Sequence, residues 1–61
     1  MGNQVELKEE IFCLLMNGPH TIKQLSSILD VSMGEIIESC RSIRDDDGDA
    51  EEIDGKWRLT T

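Results

Sequence analysis

Apolar positions in the first part of the chain recur with the period of a helix. Leu7, Ile11, Leu14 and Leu15 line one side, which predicts a helix from about Val5 to Asn17. Asn17 and Gly18 suit a left-handed cap and Pro19 cannot continue the hydrogen-bond ladder, so the helix stops there. A second stripe is formed by Ile22, Leu25, Ile28 and Leu29, and a third by Ile36, Cys40 and Ile43 with Met33 and Ile37 on its flank. These predict helices from about Ile22 to Leu29 and from about Met33 to Arg44, joined by a tight turn at Asp30-Val31-Ser32. Each has a start signal. Thr21 precedes Gln24 by three residues and Ser32 precedes Glu35 by three, the spacing of a capping box, in which the hydroxyl accepts from an orphan helix-start amide while the longer side chain reaches back.

The helical period gives way after Gly48 to two short runs around Asp54-Gly55, a dipeptide that suits a two-residue type I′ hairpin turn. Such a turn pairs Ile53 with Lys56, Glu52 with Trp57 and Glu51 with Arg58. Trp57 and Leu59 then share one face and Ile53 lies on the other. The opposed charges of Glu51 and Arg58 favour this register. Three helices followed by a hairpin, with no linker and no internal repeat, predict one α+β domain over residues 1–61.

The stretches "TIKQLSSILDVSMGEIIESCRSI" and "DGKWRLTT" resemble the winged helix-turn-helix superfamily, and with the first helix the likeness covers nearly the whole chain. The resemblance implies a winged helix, with the hairpin as wing. Members of that superfamily include transcription regulators, Z-form nucleic-acid binders and modules that bind only other proteins. The closing "KWRLTT" is similar to the wing of Z-alpha domains, where an Asn and a Tyr of the third helix, together with a Trp of the wing, contact left-handed duplex. Those positions fall here on Ile37, Arg41 and Trp57, so only the tryptophan is kept. The other role open to Trp57 is to cap the core.

Charge narrows the functional classes further. The 13 acidic and 6 basic side chains give a net charge of -7, which repels nucleic acid and anionic membrane on average. Locally the bias is stronger, because seven carboxylates stand between Asp45 and Asp54. The side of helix 3 turned away from its apolar stripe carries Gly34, Glu35, Glu38, Ser42 and Asp45, with Arg41 toward one edge. A carboxylate near a groove is desolvated beside phosphate, and Glu reads a base only by accepting from cytosine. The cations Lys23, Arg41, Arg44, Lys56 and Arg58 are spread over three elements, so salt-sensitive phosphate binding is disfavoured.

Other chemistry is sparse. Chains of 61 residues bury little core and leave no room for a deep catalytic pocket. The acidic run has Gly48 where a calcium loop needs its glycine, but its first ligand would be Ile43 and its twelfth Asp54, so the EF-hand pattern fails. Cys13 and Cys40 lack metal-ligand spacing, and His20 has no second ligand nearby. No enzyme activity, metal or cofactor is implied. The N-terminus has neither an apolar signal segment nor a myristoylation motif, and no apolar run spans a bilayer, which predicts a cytoplasmic or nuclear protein without membrane contact.

The expectation is therefore a regulatory or scaffolding module acting through a protein partner or a second copy. Its candidate interface is Val5, Phe12 and Met16 on helix 1 with Glu35 and Glu38 on helix 3. A DNA-binding regulator would instead use Ser32, Met33, Arg41, Lys56, Trp57 and Arg58. A third possibility is an acidic mimic of nucleic acid that occupies a partner's binding site.

Overall fold

Helix α1 spans Gln4–Met16 and is followed by a two-residue strand β1 at His20–Thr21. The computed structural model describes the backbone of residues 4–60 and the side chains of residues 6–60. Helix α2 covers Ile22–Leu29 and α3 covers Met33–Ser42; a π-type turn follows at Ile43–Asp47, then β2 at Ala50–Ile53 and β3 at Lys56–Leu59. The architecture is α+β, with three helices and a three-stranded antiparallel sheet in the order β1-β3-β2.

Local chemistry accounts for the helix boundaries. Thr21 caps α2 with a complete box: the Gln24 N–H donates to its hydroxyl at 3.0 Å, and its own N–H donates to the Gln24 side chain at 2.9 Å. At α3 only half of the anticipated box forms. The Glu35 N–H donates to Ser32 Oγ over a long 3.4 Å, and among the described bonds no Glu35 side chain returns to the Ser32 amide. Between the helices Asp30 takes a left-handed conformation at φ 55°, its N–H donating to the Ser26 carbonyl. Aspartate tolerates that region better than most residues. The Ser26 hydroxyl donates in turn to the Val31 carbonyl, locking the turn.

The third helix ends two residues before the expected Arg44. From Ile43 the ladder widens, and the Ile43 carbonyl accepts from the N–H of Gly48 and, at 3.1 Å, of Asp49. The three aspartates at 45–47 are exposed, so no packing holds them on an α-helical ladder. Side-chain bonds hold them elsewhere: Ser42 Oγ donates to Asp46 at 2.8 Å, and Lys8 of α1 pairs with Asp47 at 3.0 Å. Gly48 closes the turn at φ 70°, where a Cβ is disfavoured. Thr60 anchors the same turn, its N–H donating to Asp49 and its hydroxyl to Gly48, both at 3.0 Å.

The hairpin has the anticipated register, Ile53 opposite Lys56, Glu52 opposite Trp57 and Glu51 opposite Arg58. Asp54 and Gly55 both have positive φ, 55° and 78°, as a type I′ turn demands. Ile53 is on the solvent side and 46% exposed. Strand β1, unmarked in the sequence, pairs His20 with Trp57 and Thr21 with Lys56, making β3 the central strand.

The core joins Ile11 and Leu15 of α1, Leu25 of α2, Ile36 and Cys40 of α3, Ile43, Ala50 and Trp57. Helix α1 packs on both α3 and β3. One stripe assignment needs correction. Ile28 is 55% exposed, because the buried side of α2 is centred on Leu25, and Met33, on the flank of α3, is 53% exposed.

Candidate functional site between helix 3 and the hairpin

Helix α3, the π-type turn and the hairpin enclose a hollow of about 390 Å³ lined by Ile22, Ile37, Arg41, Arg44, Asp45, Glu52 and Trp57. Positions 37, 41 and 57, aligned with the nucleic-acid contacts of Z-alpha domains, thus lie together. The tryptophan borders the hollow from within the core. It is 3% exposed, and its indole N–H is buried without an acceptor among the described residues. Its role in the core is therefore the one observed.

Arg44 covers the tryptophan, with its guanidinium carbon 5.6 Å from the ring centroid. The geometry suits a cation–π contact, worth about 0.5–1 kcal/mol at exposed sites. The same guanidinium is engaged by Asp45, Nε donating at 2.9 Å and Nη2 at 3.4 Å. These hydrogen bonds raise the Arg44 pKa above its ordinary value and hold the Asp45 carboxyl below its own. A phosphate entering the hollow has to displace Asp45 and approach Glu52 as well.

Two other basic residues repeat this arrangement. Arg58 pairs across the hairpin with Glu51 at 3.5 Å, and Lys8 is held by Asp47. Lys23, Arg41 and Lys56 form no ion pair among the described residues, but they belong to three elements, α2, α3 and β3. Of the candidate nucleic-acid contacts, Ser32 is engaged in capping, Met33 stands at the start of α3, and Lys56 and Arg58 lie on the hairpin face opposite Trp57. The structure brings only Arg41 and Trp57 of that set into one hollow.

The candidate protein interface draws on α1 and α3. Phe12 is half-buried in a depression with Lys8, Glu9, Ile43 and Asp47. Met16 is 66% exposed and borders a different depression, with Leu15, Pro19, Arg58 and Leu59. Phe12 and Met16 are four residues apart on α1 and so share a face, and the Val5 side chain lies outside the described residues. Glu35 and Glu38 are exposed on α3, as the helical period predicts.

Sequence reasoning missed Arg44 and Glu52 as parts of the hollow. Glu52 was traceable, since the register places it opposite Trp57. Arg44 was not, because its position depends on the widened turn. Cys40 lies in the core nearby, and burial, helped by the charge of Glu52, pushes its thiol up from 9.0 to about 11. Among the described residues no group of three or more His, Cys, Asp or Glu side chains is placed to hold a metal ion, and no helix is long and apolar enough to cross a membrane. Comparison with known proteins finds no matching family model, no matching curated protein and no matching solved structure.

Proposed function

We propose that the chain is a small winged-helix module that regulates or scaffolds through protein contacts rather than by reading duplex DNA. The order of helices and the antiparallel hairpin is compatible with that fold. The observation that carries the functional reading is the internal engagement of the cations. Lys8, Arg44 and Arg58 each have a carboxylate partner within the chain, while Glu35, Glu38 and Asp45 are exposed on the surface a duplex would meet. Phosphate contacts supply most of the affinity in non-specific DNA binding. Contacts by Lys8, Arg44 or Arg58 each cost an existing ion pair, and one by Arg41 brings Asp45 close to phosphate. Those exposed carboxylates also favour a second reading, in which the acidic face mimics nucleic acid on a partner.

Titration with mixed duplex DNA at low and moderate salt, followed by residue-resolved NMR shifts, tests the proposal. The expected result is no complex tighter than about 10⁻⁴ M at physiological salt, the weak end of non-specific binding. Replacing Glu35 and Glu38 with Gln strengthens whatever residual binding exists. A tight, sequence-selective complex that Arg41→Ala abolishes would overturn the reading in favour of a DNA-binding regulator.

A further inference from the structure

Helices α1 and α2 leave an apolar groove that shares no lining residue with the hollow. It measures about 450 Å³ and is lined by Glu6, Glu9, Glu10, Cys13, Leu14 and Leu29. Leu14 and Leu29 are half-buried members of the core's outer layer and offer an apolar floor. Glu6, Glu9, Glu10 and Cys13 are spaced by three, one and three residues, so they project from one face of α1 and form the rim. All four are exposed, and none of the three carboxylates has a salt-bridge partner among the described residues.

We propose that this groove docks a basic amphipathic segment of a partner protein, an apolar side chain seated on Leu14 and Leu29 and flanking Lys or Arg residues reaching the glutamates. The inference rests on the protein-contact reading above and names the chemistry of the partner. Charge complementarity selects the occupant. Phosphate backbones and anionic lipid surfaces are repelled by the rim, and so is a second copy carrying a net charge of -7. An apolar floor inside a charged rim is the arrangement by which grooves accept one face of an amphipathic helix.

The test uses the whole chain and a synthetic helix of Leu and Lys in amphipathic order, with a Leu/Glu counterpart as control. NMR shifts on adding the Leu/Lys peptide are expected to centre on residues 6–14 and Leu29, while the Leu/Glu peptide has no effect. Changing Glu6, Glu9 and Glu10 to Gln weakens binding by about tenfold, the combined worth of a few exposed ion pairs. These residues are exposed, so the variant keeps its fold, and raising salt on the unaltered chain gives the same weakening. A bulky maleimide on Cys13 blocks the groove, and at neutral pH it spares Cys40, whose thiol is buried.

Shifts confined to α3 and the hairpin, insensitive to the Cys13 adduct, would overturn the groove while leaving the protein-contact reading in place. Concentration-dependent shifts of the groove without peptide would assign it to a second copy and also overturn the proposal. Tight duplex binding together with indifference to the peptide would remove both readings.

Discussion

Raising the pH is expected to destabilise the fold through one thiol. Cys40 is fully buried among Ile36, Ile43 and their neighbours, and its pKa rises from 9.0 to about 11 because a thiolate there loses its hydration. The charge of Glu52 adds to the effect. A raised folded-state value means that the native chain keeps its proton where the unfolded chain has lost it. Stability is therefore complete below about pH 9 and declines as pH rises toward 11. The loss grows through this window and, with partial solvent screening allowed for, is on the order of 1–2 kcal/mol by pH 11. Domains of this length have about 3–9 kcal/mol to lose, so the effect is measurable. Urea unfolding followed by Trp57 fluorescence supplies the assay, since that lone tryptophan is buried in the same core. Cys40→Ala, compared in a Cys13→Ser background, loses packing at every pH but no longer has the alkaline loss. Lysine titration affects both proteins equally and cancels. A constant difference between the two stability curves from pH 8 to pH 11 would refute the reasoning.

The remaining predictions concern the helix caps and helix 1. Thr21→Ala is expected to lower stability within the usual cap range of about 0.5–2 kcal/mol, and Ser32→Ala by less, because only Thr21 has the complete box. Equal shifts in thermal unfolding would count against that distinction. Phe12→Glu puts a charge beside Asp47 and Glu9 in a half-buried depression and is expected to cost about 1–3 kcal/mol in urea unfolding. Should sedimentation instead show a dimer that this change dissolves without loss of monomer stability, Phe12 belongs to a surface between copies.

Short-range signals in the sequence determined most of the elements. Thr21 with Gln24, Ser32 at the start of α3 and Asp54-Gly55 each act through neighbours within four residues, so the helix starts, the turn and the hairpin register were legible without knowing the rest of the chain. The apolar stripes likewise identified Ile11, Leu25, Ile36, Cys40 and Ile43 as core, as did the pairing that turns Trp57 and Leu59 to one face. The sequence also established the acidic face of α3. Tertiary structure decided what depends on distant partners. Strand β1 is two residues long and exists because β3 is beside it. The π-type turn replaces the end of α3 because Lys8 and Thr60, from opposite ends of the chain, hold Asp47, Gly48 and Asp49. That turn sets Arg44 over Trp57 and against Asp45 at the edge of the hollow. The α1–α2 groove has the same origin: helical spacing places Glu6, Glu9 and Glu10 on one face, but only the packing of α2 brings Leu29 to its floor. Side-chain period fixes which way a residue points along its own helix; what it meets there is set by contacts between elements.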